Sequence, residues 1–263
     1  MTAVHEGPPA PRVYLLDVEG TVAPISLVYE QLFPYARAHF AEFLKDNNTN
    51  PAVEADLVVL ADENRVEQKS GIESELKSGC PIFGAASSRL RWEDAIPYLL
   101  WLMDRDRKST ALKSLQGKIW KAGFESGELK GTLFADVPSA LSRWASQAKV
   151  AIYSSGSVEA QRLLFRYSTF GDLTGLIAAH FDTRIGPKHA SASYSAIAGE
   201  LHVEPEEVVF FSDVVRELDP AREAGCHTRL VVREGNAPIE DAHGDTTGHT
   251  HKHKVIDTFE HEP

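Results

Sequence analysis

Four short apolar runs constrain this chain most: Arg12 to Leu16, Lys149 to Tyr153, Glu207 to Phe211 and Thr228 to Val232. Each is continuous rather than alternating, the pattern of a strand covered on both faces in a parallel sheet. Three of them run straight into a polar cluster at the carboxyl side: Asp17-Val18-Glu19-Gly20-Thr21, Ser154-Ser155-Gly156-Ser157 and Ser212-Asp213. Helical spacing fills the intervals. Ala140, Leu141, Trp144 and Ala145 make one stripe, and Val158, Leu163, Leu164 and Phe165 contribute to another. Strand–helix alternation predicts an α/β fold with a parallel sheet covered by helices. Ligands bind beyond the carboxyl ends of such strands, so the polar clusters mark the expected site.

The segment from 27 to 127 reads differently. It has almost no strand signal, and four stripes recur at helical spacing: Leu32, Ala36, Phe40 and Phe43; Leu57, Leu60 and Ala61; Ile96, Leu99, Leu100 and Met103; Leu112, Leu115, Ile119 and Trp120. This predicts an all-helical insertion of four or more helices, with residues 1–26 and 128–263 forming the α/β core. Pro34 is expected to kink or break the first of these helices. Ser70 to Ser88, with Gly71, Gly79, Pro81 and Gly84, reads as a long loop.

Composition narrows the partners. A formal net charge of −11 over 263 residues argues against nucleic acid or an anionic membrane surface, and implies that any anionic ligand meets a local cluster of cations. No stretch approaches ~18 consecutive apolar residues, so no membrane span is expected. Met1 to Arg12 lacks an apolar run and does not read as a signal peptide. The two cysteines, Cys80 and Cys226, form no metal or disulfide pattern and read as reduced thiols of a cytoplasmic protein. The alternation His249, His251, His253 near the C-terminus reads as an exposed loop that binds metal only adventitiously, since nothing nearby would orient the imidazoles.

The clusters carry a consistent chemistry. Asp17 and Glu19, two apart in an extended chain, point to one side. Such a pair divides labour between a nucleophile and a general acid/base. Taken alone, five residues are too few, and Asp17 reads first as a turn or N-cap acid before the next helix. The hydroxyls of Ser154 and Ser155, with free N–H groups at a helix start, make an anion site; plain N-capping is the bland use of a serine there. Lys188 follows a glycine–proline turn and precedes a helix, which would fix its ammonium, although a single lysine is by default a solvated one. Asp213 closes a buried strand and offers oxygen to Mg²⁺, with Asp17 and the carbonyl of Glu19 completing a sufficient protein set for one ion. Glu217 fits a supporting place beside it, or simply a dipole-favoured acid at a helix start. A carboxylate approaching a phosphate dianion at ~3.5 Å meets roughly 10 kcal/mol of repulsion at an effective dielectric of about 20. Uncompensated, that slows attack by on the order of 10⁷. Lys188 and one Mg²⁺ together reverse the sign.

These motifs, in this order and at these strand ends, resemble the haloacid dehalogenase superfamily of phosphatases. The helical insertion resembles that superfamily's cap domain on a Rossmann-like core. Glu19 departs from the aspartate usual at that position. That departure points to a narrower likeness, to the enolase-phosphatases of methionine salvage. It is carried by Asp17 to Thr21 with Pro24-Ile25-Ser26, by Leu32-Phe33-Pro34-Tyr35-Ala36, by Asp106 to Lys113 with Leu115-Gln116-Gly117, by Ile152 to Gln161, by His180-Phe181-Asp182-Thr183, and by Asp213 with Val231 to Asn236. The resemblance implies that a 2,3-diketo-5-methylthiopentyl 1-phosphate is enolised and then dephosphorylated to the acireductone 1,2-dihydroxy-3-keto-5-methylthiopentene. It implies Asp17 as nucleophile and Mg²⁺ ligand, Glu19 as acid/base and metal ligand, and Asp213 as metal ligand. Ser154, Ser155 and Lys188 would hold the phosphate. The base for enolisation is Glu19 or a residue of the insertion. A monomer in the cytoplasm, with some nuclear presence, acting on a small phosphorylated molecule is the implied setting. Two other readings stand beside it: a generic small-molecule phosphatase, separable by assay with the diketo phosphate, and a catalytically silent interaction protein, which the intact set Asp17, Glu19, Lys188 and Asp213 argues against.

Overall fold

The computed structural model describes residues 11–69, 79–83, 91–236 and 252–262. Most of the predicted 70–88 loop lies outside these residues, as do the first ten residues and His243, His249 and His251. The chain divides into two compact units, residues 29–129 and the remainder on either side.

The outer segments build a six-stranded sheet in the order β3-β2-β1-β4-β5-β6, every adjacent pair parallel. The strands are β1 (Val13–Leu16), β2 (Lys149–Tyr153), β3 (Ala179–Phe181), β4 (Val208–Ser212), β5 (His227–Val231) and β6 (Lys254–Ile256). The helices of this unit are α5 (Val137–Ala145), α6 (Val158–Arg166), α7 (Ser191–Leu201) and α8 (Val215–Glu223). The continuous apolar runs are explained by burial on both faces. Val13 and Leu15 of β1 pack with Ile197 and Leu201 of α7 and Leu218 of α8. Tyr14, pointing the other way, stacks on Trp144 of α5 at 4.6 Å between ring centroids, and Phe211 and Phe259 each lie 5.3 Å and 5.3 Å from the same indole. Each such apolar side chain contributes about 1.5–3 kcal/mol relative to exposure.

The strand boundaries differ slightly from expectation. The third run starts at Val208 rather than Glu207, because Pro205–Glu207 form a 3₁₀ turn in which the Glu207 carboxylate accepts the Glu204 N–H at 2.9 Å. The fourth is displaced to His227–Val231. Strands β3 and β6 were not anticipated; at three residues each they are too short for periodicity to register.

The other unit contains α1 (Phe33–Asp46), α2 (Pro51–Lys69), α3 (Trp92–Asp104) and α4 (Thr110–Ser126) around a core that includes Phe40, Leu57, Leu60, Leu99, Leu115 and Ile119. Pro34 does not kink α1. It lies in the first turn, where a missing N–H costs nothing, and follows a π-helical stretch, Leu27–Leu32. The buried face of α3 is Ala95, Tyr98, Leu99, Trp101 and Leu102, turned slightly from the predicted Ile96–Leu100–Met103 stripe. No helix among the described residues is long and apolar enough to cross a membrane.

Candidate active site

The strand order reverses direction about β1: the chain runs outward through β2 and β3, then returns to β4 on the opposite side. Such a switch point opens a crevice at the carboxyl ends of the strands. Asp17, Ser154 and Asp213 follow β1, β2 and β4 directly, so the topology alone gathers residues distant in sequence.

Asp17 is 3% exposed and its N–H is held by the Phe211 carbonyl at 2.9 Å. Its Oδ1 accepts a hydrogen bond from Nζ of Lys188, which also donates to Oε2 of Glu217 at 2.9 Å. The lysine is not a solvated one. Its side chain is 10% exposed. The turn before it is constrained: Gly186 has φ +141°, and a Cβ there would fall 2.2 Å from the Ser193 hydroxyl. Tyr153 donates to the Gly186 carbonyl at 2.8 Å, and the Tyr194 hydroxyl sits 2.8 Å from the Lys188 carbonyl. Burial alone would push the Lys188 ammonium's pKa down; the carboxylates of Asp17 and Glu217 outweigh it and raise the value.

Glu19 is half-buried and its Oε2 accepts from Ser154 Oγ at 3.1 Å. Desolvation and the neighbouring Asp17 push its carboxyl up. Ser154 is 1% exposed and its Oγ also takes the Gly156 N–H at 3.0 Å, so it braces the turn as well as facing Glu19. Ser155 is exposed on that turn. Plain capping falls to Ser157, whose hydroxyl accepts from Ala160 at 3.2 Å at the start of α6. Gln161, one turn into α6, ties the Gly156 and Phe181 carbonyls together at 2.9 and 2.8 Å.

Asp213 is fixed from behind. Its N–H is held by the Thr21 hydroxyl at 3.1 Å, and Gly20, with φ +76°, presses against its side chain: a Cβ there would lie 2.1 Å from Asp213 Oδ2. Burial and the charge of Asp17 push the Asp213 carboxyl up to about 7. Glu217, in the first turn of α8, is likewise pushed up to about 7 by burial and Asp17, against the lowering effect of Lys188; Ser212 donates to it at 3.0 Å.

Four carboxyls and one ammonium therefore share this crevice, and the excess of negative charge calls for a cation. The donor chemistry fits Mg²⁺. Asp213 Oδ1 is buried with no hydrogen-bond partner among the described residues, and no backbone N–H there donates to the Glu19 carbonyl. No group of three or more His, Cys, Asp or Glu side chains closes into a metal cage among the described residues. Mg²⁺ does not ask for one, since one or two carboxylates with waters and a substrate phosphate suffice.

His253 departs from expectation. It is 5% exposed, with Nδ1 2.7 Å from the Thr228 hydroxyl and Nε2 3.4 Å from Asp219, so it is packed against β5 and α8 rather than lying in an exposed loop. Thr21 and the Arg233–Asn236 segment enter the sequence reading only through the first polar cluster and the resemblance, with no place in the site assigned, because that place depends on contacts distant along the chain.

Comparison with known proteins gives the family. Residues 11–225 match the family model of haloacid dehalogenase-like hydrolases. The chain is 50% identical over 232 residues to the enolase-phosphatase E1 of Synechococcus elongatus, covering 86% of this chain and 90% of that protein. It is 42% identical over 253 residues to the protein of the same name from Leptospira borgpetersenii, covering 95% and 97%. Among solved structures, the UTR4 protein of Saccharomyces cerevisiae superposes with a TM-score of 0.72 at 33% identity, covering 95% of this chain and 99% of that one.

Proposed function

The chain belongs to the haloacid dehalogenase-like hydrolases, and from that premise we propose that Asp17 is the nucleophile of a phosphatase whose site is the crevice at the carboxyl ends of β1, β2 and β4. The enzyme catalyses the enolase-phosphatase reaction of methionine salvage, converting 2,3-diketo-5-methylthiopentyl 1-phosphate to the acireductone 1,2-dihydroxy-3-keto-5-methylthiopentene and phosphate. One observation supports the site assignment above the rest: Lys188 grips Asp17 and Glu217 together in a buried position.

In this reading an Asp17 carboxylate oxygen attacks phosphorus, and the bond from phosphorus to the substrate oxygen breaks. Glu19, whose raised pKa favours keeping a proton, protonates the departing oxygen. It then takes a proton from the water that cleaves the phospho-aspartate and returns Asp17 to a carboxylate. Lys188 and Ser155 hold the phosphoryl oxygens, and Ser154 orients Glu19 through its 3.1 Å hydrogen bond. One Mg²⁺ would be held by Asp17, the Glu19 carbonyl and Asp213, and supplies charge neutralisation at the phosphoryl group. Cys80 and Cys226 form no disulfide, in keeping with a cytoplasmic setting, and a monomer is the simplest assembly for a site drawn from one chain.

The test uses the diketo phosphate beside a panel of sugar phosphates, with enol absorbance and phosphate release followed separately. Asp17→Asn should abolish phosphate release, because an amide is not a competent nucleophile. Release within about tenfold of wild type would remove Asp17 from the mechanism. Equal turnover of all the phosphates would favour a generic phosphatase.

A further inference from the structure

The segment that follows β5 has no part in the chemistry above, yet it reaches the site. Arg233 is 8% exposed, its guanidinium held between the rings of Phe134 and Phe259 at 4.6 and 4.5 Å. It donates to Asp136 at 2.9 Å and to the Asp257 carbonyl at 2.8 Å, and its Nε lies 3.3 Å from the Thr21 carbonyl. The same Asp136 oxygen, Oδ2, also accepts from the Phe259 N–H at 2.7 Å and the Thr258 hydroxyl at 3.1 Å. Arg233 is thus a fixed post, gripping the loop that carries Asp17 and Glu19. The chain turns directly after it, with Asn236 N–H returning to the Arg233 carbonyl at 3.2 Å.

That turn delivers the Asn236 side chain to Gly20 and Asp213. Its Nδ2 donates to the Gly20 carbonyl at 2.8 Å and lies 3.5 Å from Asp213 Oδ2. A carbonyl only accepts, so the NH₂ end of the amide must face this corner. The same Asp213 oxygen is the one pressed against Gly20, where a Cβ would fall 2.1 Å from it and 3.1 Å from Asn236 Nδ2. The two oxygens of Asp213 are therefore unequal. Oδ2 has backbone on one side and a donor on the other, whereas Oδ1 is buried and has no partner among the described residues.

The geometry points to Asn236 as a positioning residue for Asp213. Its amide draws Oδ2 into the Gly20 corner, and so turns Oδ1 toward the cation site. The terminal torsion of an aspartate is broad and nearly two-fold, so without such a donor the carboxylate has little to hold it at one angle. Groups that orient a metal ligand typically change affinity by about 10–100-fold when removed. The role rests on the reading of Asp213 as a cation ligand, and the experiment separates the two.

Mg²⁺ binding to the metal-free full-length protein is measured by titration calorimetry, with thermal melting in its absence as the check on folding. Asn236→Ala should weaken Mg²⁺ by about tenfold or more. KM for an aryl phosphate at saturating Mg²⁺ and the metal-free Tm should hardly move, a split that a merely structural brace would not produce. Asn236→Leu, near in size and without a donor, repeats the measurement should the alanine variant not fold. Mg²⁺ affinity within about twofold of wild type, or failure of both variants to fold, would overturn the role. Asp213→Asn serves as the reference. If it too binds Mg²⁺ normally, the assignment of Asp213 as ligand falls; if it loses Mg²⁺ while the Asn236 variants bind normally, only the positioning role falls.

Discussion

Lys188→Met tests the charge balance of the crevice most directly. The wild-type ammonium sits between Asp17 and Glu217, 10% exposed. In the enzyme–substrate complex it would face a phosphate dianion. At ~4 Å and an effective dielectric of about 20 the gross attraction is on the order of 8 kcal/mol. Most of that is recovered by water and neighbouring groups, and removing one donor from a closed site typically costs about 2.7–4 kcal/mol. A loss of about 3 kcal/mol corresponds to roughly 10²-fold in kcat/KM for an aryl phosphate at saturating Mg²⁺. Glu217, already pushed up to about 7, would take a proton once the ammonium is gone, so the variant should remain folded at neutral pH. The double variant Lys188→Met/Glu217→Gln removes that unpaired carboxyl and should melt no lower than the single variant, with activity still reduced to the same degree. This separates stability from catalysis. A loss below about fivefold in the single variant, with Mg²⁺ saturating, would refute the reasoning, because so buried a cation would then be doing no electrostatic work on the phosphate.

Two further outcomes follow from the same corner. Without divalent cation, Asp213 and Glu217, each raised to about 7, bind more protons folded than unfolded between their ordinary carboxyl range and that pH. Their contribution is intact at low pH and is lost as pH rises through about 7, by at most about 1.4 kcal/mol per unit for each group. Metal-free Tm should accordingly fall from pH 5.5 to pH 8, and saturating Mg²⁺ should flatten the trend; a metal-free Tm that rises over this interval would contradict it. Gly20→Ala imposes both a positive φ and a Cβ 2.1 Å from Asp213 Oδ2. It should cost about 1–2 kcal/mol in backbone strain alone and weaken Mg²⁺ by about tenfold or more, so wild-type Mg²⁺ dependence would show that Asp213 has room to move.

What the sequence discloses here depends on how far a signal reaches. Asp17 and Asp213 are legible because each stands at the end of a continuous apolar run, and a parallel sheet places such ends together. Lys188 is harder. The strand leading toward it, Ala179–Phe181, is three residues long, and only the glycine–proline turn hints that its ammonium is fixed. Ser154 and Ser155 are indistinguishable as a pair of hydroxyls, yet one is buried against Glu19 and the other exposed; rotation about a turn decides that, and no periodicity encodes it. Asn236 and Arg233 act on Gly20 and Thr21 across 216 and 212 positions. In α3 the helix was evident, but nearly every position is apolar, so the pattern could not orient its buried face.

The central place of β1 also sets a schedule for synthesis. Its two neighbours in the sheet begin at Lys149 and Val208. At ribosomal rates of about 5–20 residues per second, roughly ten seconds or more separate the emergence of Val13 from that of Val208. Throughout that interval the first strand of the nascent chain has at most one of its edges paired, while the helical segment, whose own core lies within residues 36–119, is free to fold once its last helix has emerged. Asp17 is therefore made well before Val208–Ser212, the strand that completes its far side. A ribosome stalled anywhere before Val208 holds a chain with Asp17 in place and an apolar strand edge open to other chains, so truncated products of this protein are liable to aggregate rather than to work slowly.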